Sequence, residues 1–131
     1  MKLRQATDTD RDLFFRLRND PTARHASRRP EITEDEHARW WKEMSDYCFV
    51  CDGNEGPVGT LRLSADGMVS IIVDPALRGM GLGVKMLRLL TDEAKRLGFT
   101  RIFAEISPEN VRSQKAFLTV GYKPVLLELP L

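Results

Sequence analysis

The spacing of apolar residues changes several times along this 131-residue chain, and each change marks an element. Residues 2–6 read as a short extended segment. Thr7-Asp8-Thr9-Asp10 follows, with side-chain oxygens suited to capping a helix start. Leu13, Phe14 and Leu17 then fall on one helical face, until Asn19-Asp20-Pro21 stops the pattern. Thr33, with Glu36 three residues on, predicts a second start closed by a reciprocal cap. The stripe after it is His37, Trp40, Trp41 and Met44, the i, i+3, i+4, i+7 spacing of one helix face.

The period then shortens. Residues 47–52, 58–63 and 68–73 predict strands, and the turns at residues 52–57 and 65–67 predict antiparallel hairpins between them. Residues 82–97 return to helical spacing. Met86, Leu87, Leu90, Ala94 and Leu97 share one face, Lys85, Arg88, Asp92 and Lys95 the other, and Gly98 suits the exit. Residues 100–106 read as a buried strand, residues 110–120 as a last helix ending at Gly121, and residues 122–129 as an extended tail. The expected fold is α/β with a mixed sheet, in the order β-α-α-β-β-β-α-β-α-β, as one domain over residues 1–131.

The most telling segment joins the fourth strand to the long helix. Val69-Ser70-Ile71-Ile72-Val73 runs through Asp74-Pro75-Ala76-Leu77 into Arg78-Gly79-Met80-Gly81-Leu82-Gly83. Glycine at alternate positions strips side chains from the turn, so backbone N–H groups at the helix start can close on a diphosphate. Gly79, Gly81 and Gly83 give G-x-G-x-G, which is not the G-x-G-x-x-G of a Rossmann turn, and Gly83-Val84-Lys85 lacks the Gly-Lys-Ser/Thr of a P-loop. What fits is R-x-x-G-x-G across Arg78, Gly81 and Gly83.

That motif resembles the coenzyme A pyrophosphate loop of the GCN5-related N-acetyltransferases (GNAT). Residues 110–122, with Asn110, Ser113, Gly121 and Tyr122 at the matching positions, look like the family's N-x-x-(A/S)-x-x-x-Y-x-x-x-G-(F/Y) segment. The likeness extends over nearly the whole chain. It implies the acyl-CoA N-acyltransferase fold, acetyl-coenzyme A as donor, and direct transfer to a primary amine. By the same resemblance, Gly79, Met80, Gly81, Leu82 and Gly83 hold the pyrophosphate, with Arg78 at the mouth of the turn. Ile71, Ile72 and Val73 pair with the pantetheine arm through their main chain, and Asn110 and Ser113 flank it. Many relatives protonate the departing thiolate with a tyrosine where this chain has Phe117. Water, Tyr122 or Tyr47 are the substitutes. For the base, Glu105 and His37 are the candidates.

Composition narrows the setting. Twenty basic against 19 acidic side chains give a net charge of +1, so no overall field favours nucleic acid. No apolar run approaches the roughly 18 residues of a membrane span. The first five residues carry no export signal, and a cytoplasmic location is expected. Cys48 and Cys51 form C-x-x-C, but no second ligand pair suits zinc, and strand residues three apart face opposite ways. Reduced structural thiols and no metal are expected.

The basic segment at residues 19–33 resembles relatives that acetylate nucleotide-linked amino sugars. It puts Arg28 and Arg29, with Trp40 as a stacking surface, in the acceptor site. A peptide N-terminus, and a non-catalytic acyl-CoA sensor, stand as alternatives. Only ten residues follow Gly121, room for one strand rather than two, so an incomplete sheet edge and a homodimer are expected.

Overall fold

The computed structural model describes residues 1–27, 29–44, 47–125 and 129. Its sheet has four strands, β1 (Lys2–Gln5), β2 (Cys48–Gly53), β3 (Gly56–Leu63) and β4 (Val69–Val73), all antiparallel and adjacent in chain order. Its main helices are α1 (Arg11–Arg18), α2 (Pro21–Ser27), α3 (Glu34–Met44), α4 (Leu82–Arg96) and α5 (Val111–Val120).

Strand alternation divides the interior in two. Phe49, Cys51, Leu61, Leu63 and Val69 pack with Met86, Leu87, Leu90 and Ala94 of α4 and Phe117 of α5. Cys48 and Val50 point the other way and pack with Ala6, Phe14 and Trp41. Helices therefore cover both faces, α4 and α5 on one and α1 and α3 on the other. Gly59 lets α4 lie close to the sheet, because a Cβ there would fall 2.7 Å from Met86 Cε and 2.6 Å from the Ile72 carbonyl oxygen. The two cysteines separate as expected, each fully buried on its own face.

The reciprocal cap at α3 forms. Glu36 N–H donates to Thr33 Oγ1 at 3.1 Å and Thr33 N–H to Glu36 Oε1 at 3.0 Å. Asp10 accepts from Thr7 N–H at 2.8 Å before α1, and it also receives both Nη atoms of Arg4, at 2.8 and 2.9 Å.

Two departures from the expected order have local causes. The basic segment between the first two expected helices, for which no element is expected, contains α2. Asp20 caps it by accepting from Ala23 N–H at 2.9 Å, and Pro21 occupies the first turn, where its missing N–H costs nothing. Residues 100–106 do not form a full strand. They meet the sheet at one parallel bridge, Met68 to Phe103, with Val69 N–H donating to Phe103 O at 2.7 Å and Phe103 N–H to Gly67 O at 2.9 Å. This preserves the parallel crossover through α4 but leaves the edge of β4 beyond Val69 without a ladder. The closing strand expected at residues 122–129 lies partly outside the described residues, and residues 122–125 belong to no strand.

Candidate functional site

The gap beside β4 is where the chemistry of this chain concentrates. Antiparallel pairing alternates along β4: Asp74 N–H bonds Val58 O on the β3 side, while Val69 N–H bonds Phe103 O on the outer side. By that alternation Ile72 turns its main-chain groups to Thr60 of β3. Ile71 and Val73 turn theirs to the open edge, where no strand partners them among the described residues. Their exposed amides and carbonyls can receive an extended ligand as an added strand would.

The open edge runs straight into the glycine turn. A 3-10 turn over Pro75–Leu77, capped by Asp74 accepting from Ala76 N–H at 3.1 Å, redirects the chain. Gly79 and Gly81 then take φ of +83° and +71°, a left-handed conformation that side chains rarely adopt. A Cβ at either would meet no protein atom within 4 Å, so the turn presents bare backbone to open space. Gly81 is the N-cap of α4 and offers no side-chain hydrogen bond. The first N–H groups of a 15-residue helix thus remain for an anion, with the helix dipole adding attraction. A Cβ on Gly83 would touch Val73 Cγ2 at 3.8 Å and Ala116 Cβ at 3.9 Å, so this turn lies where β4, α4 and α5 converge.

Arg78 does not reach over the turn. Its guanidinium meets Asp20 at 3.6 Å, and nearby Arg16 meets Asp74 at 3.3 Å. Both pairs tie the end of α1 to the end of β4. Asn110 caps α5 by accepting from Ser113 N–H at 3.3 Å, which brings the expected flanking pair together. Met80 is exposed, while Leu82 and Gly83 are half-buried.

The candidate proton-transfer groups sit in contrasting surroundings. Ile102, Ala104 and Ile106 pack on the α4–α5 core. Glu105, on an alternate position, is exposed and lines a groove of about 1110 Å³ with Phe117, Tyr122 and Leu118. His37 is 2% exposed. Arg18 Nη1 donates to its Nδ1 at 3.2 Å, which leaves Nε2–H to donate to the Arg11 carbonyl at 3.0 Å. Both ring nitrogens are engaged, and burial lowers its proton affinity further. Phe117 is 4% exposed and meets Tyr122 edge-on, ring centroids 4.8 Å apart. The Tyr122 hydroxyl is buried with no hydrogen-bond partner among the described residues, and desolvation pushes it up to about 12. Burial raises the Cys48 and Cys51 thiols to about 11, which removes them as nucleophiles or redox groups at neutral pH.

On the expected acceptor side, Arg28 lies outside the described residues. Arg29 lines a cavity of about 430 Å³ with Pro21, Arg24, His25 and Glu109. Trp40 is not a free stacking surface: Arg18 lies 4.0 Å over its ring, and His37 stacks on it at 5.5 Å. Trp41 belongs to the core, its indole N–H donating to Asp8 at 3.0 Å. Arg18 and Arg62 were legible only as a basic last helical turn and a polar strand position, and nothing in their spacing marked them. Among the described residues no group of three or more His, Cys, Asp or Glu side chains converges to hold a metal. No described helix is long and apolar enough to cross a membrane.

An open strand edge feeding a bare helix start, on a sheet with helices on both faces, offers main-chain groups to an extended ligand that ends in an anion. A family model described as the acetyltransferase (GNAT) domain matches residues 1–123, and the chain belongs to that family. YobR of Bacillus subtilis, an uncharacterized N-acetyltransferase, is 32% identical over 59 residues, 45% of this chain and 24% of that protein. A Methanocaldococcus jannaschii relative, MJ1062, is 26% identical across 92% of this chain and 28% of its own length. The chain therefore spans about a quarter of these curated relatives. Among solved structures, a Methanocaldococcus jannaschii domain superposes with a TM-score of 0.80 at 23% identity, covering 95% of this chain and 88% of that one. The putative acetyltransferase yncA of Salmonella typhimurium, solved with its cofactor acetyl-CoA, gives 0.76 at 24% identity, covering 93% and 79%.

Proposed function

We propose that this chain transfers an acetyl group from acetyl-coenzyme A to a primary amine. The observation that carries the proposal is the continuity of β4's open edge with the uncapped start of α4. The two sets of free amides match an extended amide-bearing arm ending in a diphosphate. Backbone N–H groups of residues 79–83 hold the diphosphate. Ile71 and Val73 orient the arm, with Asn110 and Ser113 at the opposite wall, and their fixed donors stabilise charge on the acyl oxygen. When bound, acetyl-coenzyme A supplies a thioester whose sulfur, with a thiol pKa near ~8.5, leaves without a strong acid. Phe117 in the usual acid's position is compatible with that, and Tyr122, fully protonated at neutral pH, has a hydroxyl still free to donate. Glu105, exposed at the groove, accepts the amine's proton through water, the amine having to be neutral to attack. His37, with both nitrogens occupied, holds Arg18 in position instead.

For the acceptor, the amino group of a nucleotide-linked sugar remains our proposal. Its support is Arg29 in a cavity bordered by Arg24 and His25, with Glu109 the one acidic side chain in its lining. A second reading, an acyl-CoA sensor without turnover, is favoured by Phe117 alone. Calorimetry with coenzyme A, followed by thiol release from acetyl-coenzyme A with a panel of amines, tests both. Binding with turnover supports the transferase, binding without turnover on any amine supports the sensor, and no heat at millimolar coenzyme A refutes both.

A further inference from the structure

Three guanidinium groups converge on the α1–α3 side of the sheet, and none has a carboxylate within ion-pair reach among the described residues. Arg18 lies 4.0 Å over the Trp40 ring, and Arg62 of β3 lies 5.9 Å from the same ring. Burial first, and then the neighbouring charges of Arg29 and Arg62, together pull Arg18 down to about 10. Burial also lowers Arg29. The Nε atoms of Arg29 and Arg62 are both buried with no hydrogen-bond partner among the described residues. Arg62 Nη2 lies 3.0 Å from Met44 Sδ, a weak acceptor at best. Asp66, which feels the charge of Arg62, is itself exposed and bonded to Ser64.

Folded chains pair buried charges or give them hydrogen bonds, so a cluster of like charges with orphaned donors calls for an anion from outside. The cluster is also correctly situated. Arg18 lies between Arg16 and Asp20, whose ion pairs fasten this stretch to Asp74 and Arg78 at the end of β4. Arg29 links the cluster to the 430 Å³ cavity that it lines with Pro21, Arg24, His25 and Glu109, three of the five being basic side chains.

We propose that this cluster is an oxyanion site for the acceptor: the amine substrate carries a phosphate or a carboxylate, bound by Arg29 and Arg18 with Arg62 behind. Guanidinium forks suit either group. His37 and Trp40 are positioning residues that hold Arg18 in the cluster. A polyamine would meet three guanidinium groups there, against the one carboxylate, Glu109, on the cavity wall. The assignment to the acceptor rests on the transferase reading, while the anion site itself does not.

The test follows the guanidinium Nε–H signals of Arg29 and Arg62 by nitrogen NMR. The chain is first saturated with coenzyme A, so that the glycine turn is filled, and then titrated with inorganic phosphate or with acetate. Both signals should move in a saturable way with one anion. Arg29→Gln should weaken that binding roughly tenfold or more, Arg29→Lys should weaken it less, and coenzyme A affinity should stay unchanged. The stronger anion identifies the group as phosphate or carboxylate. No movement with either anion at about 50 mM, or equal binding by Arg29→Gln, overturns the proposal. Transfer assays with phosphoethanolamine, β-alanine, ethanolamine and spermidine should favour one of the first two. Turnover that prefers ethanolamine or spermidine overturns it. Anion binding without turnover on any amine would instead refute the transferase reading and leave the site standing.

Discussion

Gly81 offers a test in which folding and ligand binding should move in opposite directions. It takes φ +71° and ψ 15° directly before α4, and a Cβ there meets nothing. Asn and Asp tolerate the left-handed region better than other side chains, so Gly81→Asn and Gly81→Asp each cost about 1 kcal/mol in backbone strain. That corresponds to a fall in Tm of about 3–5 °C for a chain of this size. The variants differ by one charge. At the helix start the carboxylate interacts favourably with the dipole by about 0.3–1 kcal/mol, so the Asp variant should melt at or above the Asn variant. Against a diphosphate on the same amides the sign reverses. At about 4 Å, with an effective dielectric between ~20 and ~80, each facing charge pair costs about 1–4 kcal/mol, or about 5- to 1000-fold in affinity. Calorimetry with coenzyme A should therefore show the more stable variant binding more weakly, with the gap narrowing as salt screens the charges. Equal affinities, or tighter binding by Gly81→Asp, would refute the assignment of residues 79–83 to the pyrophosphate.

Gly59→Ala should destabilise the chain by about 1–3 kcal/mol, since its Cβ would overlap Ile72 O and Met86; unfolding in urea with an unchanged midpoint would contradict this packing. Arg4 holds the Asp10 carboxylate below its ordinary range, chiefly through side-chain hydrogen bonds. A group depressed in the folded state contributes fully above the unfolded value near ~3.9 and loses that contribution as pH falls through its folded value. Asp10→Asn should thus lose about 1–3 kcal/mol at pH 7 and show a shallower acid limb, and parallel acid-unfolding curves would contradict it. Cys48 and Cys51, at about 11, should react with a disulfide reagent at pH 8 about 10²-fold more slowly than a free thiol until the chain is unfolded. The open edge at residues 100–106, with exposed Leu118 and Val125, predicts a homodimer in sedimentation; a monomer at every concentration would count against it.

Sequence pattern gave most of the framework because burial on one face imposes a period. The stripe on α4 and the alternation of β2 and β3 needed nothing from outside their own segments. The glycine turn was equally legible, since only backbone geometry is asked of it. What escaped was set by distant partners. Residues 100–106 look like a buried strand because Ile102, Ala104 and Ile106 are apolar, yet their cover comes from α4 and α5 rather than from a ladder. α2 is not legible although Asp20-Pro21 is a good helix start, because the same Asn19-Asp20-Pro21 reads as the stop of the helix before it. His37 had the right chemistry for a base, and only the fold reveals that Arg18 and the Arg11 carbonyl claim its nitrogens. The convergence of Arg18, Arg29 and Arg62 joins the end of one helix, a loop and the end of a strand, a meeting that no local spacing encodes.

The bridge from Arg78 to Asp20 has a kinetic corollary. At 3.6 Å, between partly solvated side chains, it holds by no more than about 1 kcal/mol. A diphosphate arriving beside Arg78 would compete with that single carboxylate, and Asp20 is the cap of α2, the helix that borders the proposed acceptor cavity. Loading of the donor would then slacken the latch on the second substrate's doorway, so product-inhibition patterns should show the thioester entering first, and a random order would mean the latch stays shut.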